Sequence, residues 1–172
     1  MKKNIFTLFL TLFFIGCGYK PTIDYAKPTI KGSVYTILHV DINNGENSVY
    51  LKDYINRLLL TQFNAKLAQN KQTADMIIDL TFNSLSQRAL QTDDKGYVRI
   101  YRITVDVKII YWNNVKNVNK KVMKLSNYED YIVDDDSTIT AVNKDIAIRN
   151  SIQKILDSFT STIAIHNINE SR

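Results

Sequence analysis

The stretch "YVRIYRITVDVKIIYW", residues 97–112, sets Tyr101, Ile103, Val105, Val107, Ile109 and Tyr111 on one side and Arg102, Thr104, Asp106 and Lys108 on the other. Alternation with a period of two is the pattern of a β-strand with one apolar and one polar face. A run this regular points to an antiparallel sheet with one side against a core and the other against water.

The neighbouring segments supply the rest of such a sheet. "SVYTILHVDI" (33–42) alternates, with Val34, Leu38, Val40 and Ile42 on one side, and "ADMIIDLTFNSLS" (74–86) sets Met76, Ile78, Leu80 and Phe82 on one face. Both read as strands, and a weaker strand falls within "KKVMKLSNYEDYIV" (120–133). The segment around Asp93-Asp94-Lys95-Gly96 reads as a long hairpin loop. Two stretches carry a helical period instead. Leu51, Ile55, Leu58, Leu59, Phe63 and Leu67 recur at threes and fours, as do Val142, Ile146, Ile152, Ile155, Leu156, Phe159 and Ile163. Asp134 to Ser137 supply the acidic residues and the Ser cap expected where the second helix opens. The order is β-α-β-β-β-α. The expected fold is an α+β two-layer sandwich, with a four-stranded, largely antiparallel or mixed sheet and both long helices on one face.

The N-terminal end constrains location. Lys2 and Lys3 precede an uncharged apolar run, Ile5 to Ile15, which is shorter than the about 20 residues that cross a bilayer and reads as a cleaved export signal. Phe14-Ile15-Gly16-Cys17 resembles the bacterial lipobox, and Cys17 is the single cysteine of the chain. That resemblance implies cleavage before Cys17, a diacylglycerol on its sulfur and acylation of its new amino group. Several acyl chains exceed what stable membrane attachment needs. The signal is thus residues 1–16, and the lipidated cysteine and an extended tether, with both prolines, occupy 17–32. One domain spans 33–166 and a tail 167–172. Gly18, where some bacteria use aspartate to retain lipoproteins in the inner membrane, implies transport to the outer membrane.

Removing residues 1–16 from 172 leaves 156, enough for one core, and lowers the formal charge from +5 to +3. Export and this small charge argue against a nucleic-acid partner. The chemistry-bearing residues form no recognisable active site. His39 and His166 are far apart in sequence; Asp41-Ile42-Asn43-Asn44-Gly45 lacks the spacing of a calcium loop; Asp134-Asp135-Asp136 reads as a helix start. No glycine pattern fits a phosphate-cradling loop. Neither an enzyme nor a metal or cofactor site is expected, the covalent lipid on Cys17 apart.

Cys17-Gly18-Tyr19-x-Pro21, a first strand ending at Asn43, the helix pattern Leu51-x-x-x-Ile55-x-x-Leu58-Leu59, Ala74-Asp75-Met76-Ile77-Ile78-Asp79 and "YRITVDVKIIYW" resemble, in order and spacing, the LptE family of lipopolysaccharide-assembly lipoproteins. The resemblance implies an outer-membrane, lipid-anchored protein that faces the periplasm. It further implies that the protein plugs and helps fold the large β-barrel LptD, and binds lipopolysaccharide on its way to the surface. Phosphates on that ligand call for cations, arginine above all. Two basic groups stand out: Arg88, Lys95 and Arg99 around the hairpin, and Lys116, Lys120, Lys121 and Lys124 beyond the far end of the long strand. The first group is the favoured lipopolysaccharide contact. The competing reading is an anchored activator or binding protein for another envelope complex, such as a cell-wall synthase. Against it, the Gly18–Gly32 tether extends at most about 50 Å, which holds the domain near its membrane.

Overall fold

The computed structural model describes residue 24, residues 29–116 and residues 120–170, with 166–170 as backbone only. The signal, Cys17 and most of the tether lie outside the described residues. The elements run β1 (Ser33–His39), a 3-10 turn at Ile42–Asn44, α1 (Gly45–Thr61), β2 (Lys66–Leu67), β3 (Met76–Thr92), β4 (Val98–Asn113), β5 (Lys121–Ile132) and α2 (Ser137–Glu170). The architecture is α+β: a mixed five-stranded sheet in the order β2-β1-β3-β4-β5, with two helices. The main order β-α-β-β-β-α is the one read from the sequence. The fifth strand, β2, is a two-residue edge parallel to β1.

β1 pairs parallel with β3, while β3, β4 and β5 form an antiparallel meander. The apolar face of β4 is Ile103, Val105, Val107, Ile109 and Tyr111, all buried. Met76, Ile78, Leu80 and Phe82 of β3 extend the same layer. α1 covers β1, β2 and β3; α2 lies along β5 and β4, and the two helices touch. Phe159 of α2 is fully enclosed and meets Tyr111 edge-on, with ring centroids 5.8 Å apart.

Several boundaries differ from the sequence reading, each for a local reason. β1 stops at His39. Ile42, grouped with the strand's buried side, sits in the 3-10 turn and is 96% exposed. α1 ends at Thr61 and does not continue to Leu67. Asn64 takes a left-handed conformation (φ 53°) and the Ala65 N–H donates to Leu59 O at 3.0 Å, a cap that closes the helix and releases the chain into β2. β3 runs on to Thr92, so the connection at 93–97 is tight. The Gly96 N–H donates to Asp93 O, and Gly96 supplies the positive φ of the turn. In α2 the buried face is Ala147, Ile148, Ile152, Ile155, Leu156, Phe159, Ile163 and Ala164, whereas Val142 and Ile146 are about half exposed.

The Ala74-Asp75 motif acquires a physical reason. The Asp75 carboxylate accepts from the Ser33 N–H at 2.7 Å and from Ser33 Oγ at 2.8 Å, fastening the start of β1 to the start of β3. These two bonds, the backbone one foremost, hold Asp75 below the ordinary carboxylate pKa. Gly32, at φ 77°, lies so close to this carboxylate that a Cβ there would collide with it.

Candidate functional site

The second face of the sheet carries no helix, and its side chains fall into rows fixed by strand register. From the end where β1 and β3 begin, the rows are Tyr35–Ile77–Trp112, Ile37–Asp79–Ile110–Val122 and His39–Thr81–Lys108–Lys124. Along the part of the hairpin that outruns β1 follow Ser84–Asp106–Ser126, Ser86–Thr104–Tyr128 and Arg88–Arg102–Asp130. The face therefore changes from apolar and aromatic, through lysine, to hydroxyl, arginine and carboxylate. Ile77 and Trp112 form a small second core with Ala74, and Tyr35, Ile37, Ala68 and Ile110 pack around it.

At the hairpin end, Arg102 grips Asp130 with two parallel bonds, Nε to Oδ1 at 2.7 Å and Nη2 to Oδ2 at 2.9 Å. Its guanidinium lies 4.0 Å from the centroid of the Tyr128 ring. The bonds to Asp130 raise the Arg102 pKa and lower that of Asp130. Arg88 stands directly across from Arg102, so one carboxylate serves a row with two cations.

The three residues favoured from the sequence do not share a surface. Arg88 is on the open face. Arg99, by alternation along β4, is on the helix side. There it bonds Asp135 at 2.9 Å and Asp93 at 2.8 Å, tying the hairpin to the segment that leads into α2. Those carboxylates, Asp135 first, raise its pKa. Lys95 sits in the turn itself, where its N–H donates to Asp93 Oδ1. The second basic group converges better. Lys124 is opposite Lys108, and Lys120 Nζ lies 4.7 Å from the Trp112 ring centroid. Lys71, from the loop between β2 and β3, lies 5.9 Å from the same ring. Sequence reasoning missed Lys71 and Trp112. Trp112 continues the outward positions of β4, but nothing in the sequence links it to a lysine 41 positions earlier.

The remaining candidates have structural roles. Asp41 caps the 3-10 turn, accepting from Asn44 Nδ2 at 2.8 Å and the Asn43 N–H at 3.0 Å. Asp136 accepts from the Thr138 N–H at 2.7 Å and so caps α2. His39 Nε2 pairs with Asp79 Oδ1 at 2.9 Å on the open face. Among the described residues no three His, Cys, Asp or Glu side chains gather as a metal set, and no helix is long and apolar enough to cross a membrane.

Comparison with known families decides what kind of chain this is. The model of the lipopolysaccharide-assembly family LptE matches residues 35–163, from β1 into the last turns of α2 and well over half of the chain. The chain belongs to the LptE family. No curated protein sequence matches it. Among solved structures it is similar to the rare lipoprotein B of Shewanella oneidensis at 16% identity and a TM-score of 0.54, covering 81% of this chain and 99% of that one. It is also similar to a putative lipoprotein of Caulobacter crescentus (8% identity, TM-score 0.56, covering 86% and 96%). An uncharacterised lipoprotein B of Nitrosomonas europaea matches at 12% identity and a TM-score of 0.55, covering 77% and 82%. At these identities the likeness speaks for the fold. LptE is a non-enzymatic assembly family.

Proposed function

We propose that this LptE-family protein is an outer-membrane lipoprotein, lipidated at Cys17, that plugs and helps assemble an LptD-like β-barrel and binds lipopolysaccharide as it is inserted at the cell surface. The observation that carries this reading is the family match across the whole sandwich, β1 to α2. The fold is compatible with it. A barrel lumen is polar, and the open sheet face presents hydroxyls, carboxylates and guanidinium groups along the hairpin.

Arg88 and Lys95 are the proposed cations for the phosphates of lipopolysaccharide, with Arg99 holding the hairpin in place between Asp93 and Asp135. The test is lipopolysaccharide binding by the purified mature protein and by the Arg88→Gln/Lys95→Gln variant. Loss of a charge-assisted contact weakens binding on the order of tenfold. Unchanged affinity in a variant with unchanged circular dichroism removes these two residues from the proposed site.

A further inference from the structure

The two ends of the sheet carry opposite charge. At one end lie the segment entering β1, the loops on either side of β2 and the β4–β5 connection. Described residues 29–33, 62–75, 113–116 and 120–121 contain Lys31, Lys66, Lys71, Lys116, Lys120 and Lys121 against one acid, Asp75. That acid is already occupied by Ser33. At the other end, residues 93–99 and 133–136 contain Asp93, Asp94, Asp134, Asp135 and Asp136 against Lys95 and Arg99. β4 joins the two ends with 16 residues, about 50 Å of strand. That is several Debye lengths at physiological ionic strength, so each end presents its own field.

Folding explains much of the acidic end: Asp136 caps α2, and Asp93 and Asp135 hold Arg99. It does not explain the basic end. Among the described residues, none of Lys66, Lys71, Lys116 and Lys120 forms an ion pair. Lys71 and Lys120 place their ammonium groups over Trp112, and one row further along, Lys108 and Lys124 oppose each other directly, which is unfavourable for a sheet. Apolar side chains stand exposed among these cations: Val115 beside Lys116 at the loop, and Val122 at the start of β5. Lysines interleaved with exposed aliphatic groups, beside a Trp112 ring that is itself buried, are the chemistry of an anionic lipid surface.

The direction of the chain agrees. Gly32 and Ser33 lie beside Lys66 and Asp75, so the chain enters β1 at this basic end.

We propose that the basic, Trp112-centred end of the domain docks on the anionic phospholipid headgroups of the leaflet that holds the chain's own lipid. The proposal goes beyond lipopolysaccharide assembly and rests on that reading only for the lipid at Cys17. Docking orients the sheet with the hairpin and the acidic end away from that leaflet. Until a barrel encloses the domain, a short tether alone would leave it free to tumble.

Trp112 is the single tryptophan of the chain, so its fluorescence reports this end alone. The purified, lipidated mature protein is reconstituted on phosphatidylcholine vesicles or on vesicles with about one third phosphatidylglycerol, each with and without a headgroup spin-labelled lipid. Flotation on the neutral vesicles reports the anchor; quenching of Trp112 by the spin label reports docking. The expected result is flotation on both, with strong quenching only on the anionic vesicles. That quenching should fall away near 1 M salt, where the Debye length is about 3 Å.

The Lys71→Gln/Lys116→Gln/Lys120→Gln variant is expected to float equally and to dock about a hundredfold less, since one lysine near an anionic surface contributes about fivefold. Circular dichroism checks that the variant is folded. Equal quenching on the two vesicle types, or a folded triple variant that docks as well as the parent, overturns the proposal. Failure to float on neutral vesicles refutes the lipid at Cys17; salt-sensitive quenching on anionic vesicles still upholds the docking surface, and its absence there overturns that too.

Discussion

Phe159 and Val142 lie on the same helix and their spacing places them on one apolar face, yet the structure assigns them opposite fates. Phe159 has no exposed surface and meets Tyr111 at 5.8 Å with the rings at 84°, whereas Val142 is 52% exposed. Phe159→Ala removes an aromatic ring from a site closed on all sides by strand and helix. The lost transfer free energy and the cavity left behind together cost about 3–5 kcal/mol. Set against a typical domain stability of about 5–15 kcal/mol, that is a large fraction, though within what a well-packed chain survives. At about 2–4 °C per kcal/mol for a chain of this size, the melting temperature should fall by about 6–20 °C. Val142→Ala deletes atoms that are already half in water and should change stability by less than about 0.5 kcal/mol. Thermal melts of the two variants and the parent, followed by far-ultraviolet circular dichroism, make the comparison. Equal shifts for the two variants would show that α2 is rotated from the orientation described, and with it the assignment of the open face.

Two further outcomes follow from the ion pairs and caps. Asp75 and Asp130 have pKa values below the ordinary 3.8, held there by the Ser33 bonds and by Arg102. A depressed carboxylate contributes stability that is complete above its unfolded pKa and is lost as pH falls through its folded one. The parent should therefore lose stability below about pH 4, and Asp75→Asn should be less stable than the parent at pH 7 with a shallower acid limb; an unchanged acid limb would mean that the Ser33–Asp75 fastening is not populated. Arg99→Gln releases both Asp93 and Asp135, and hydrogen exchange at residues 93–97 should accelerate with little change in melting temperature, whereas unchanged exchange there would show that Arg99 does not hold the hairpin.

The sequence disclosed the sheet where periodicity was uninterrupted and lost it where the backbone shifts phase. β4 could be read residue by residue because its alternation runs unbroken against β5. β3 is legible only to Phe82. A register shift between Phe82 and Ser84 then transfers the core side from even to odd positions, and further shifts occur near Gln91, so the outer half of the strand shows no single period. The end of α1 was hidden for a related reason: Phe63 and Leu67 keep the helical spacing, but Asn64 in a left-handed conformation stops the helix before them.

The candidate site was less legible than the fold. Arg88 and Arg99 are close in sequence and lie on opposite faces of one hairpin, a distinction that depends on register. The convergence of Lys71 and Lys120 on Trp112 depends on a loop crossing beneath the sheet's open face, which no local pattern announces.

Whether the sandwich serves lipopolysaccharide assembly as the partner of an outer-membrane barrel can be measured by purifying the tagged full-length protein from detergent-solubilised outer membranes and identifying what accompanies it by mass. The expected companion is one large β-barrel protein in stoichiometric amount. Recovery of the protein alone, or with a cell-wall synthase in place of a barrel, would contradict that role.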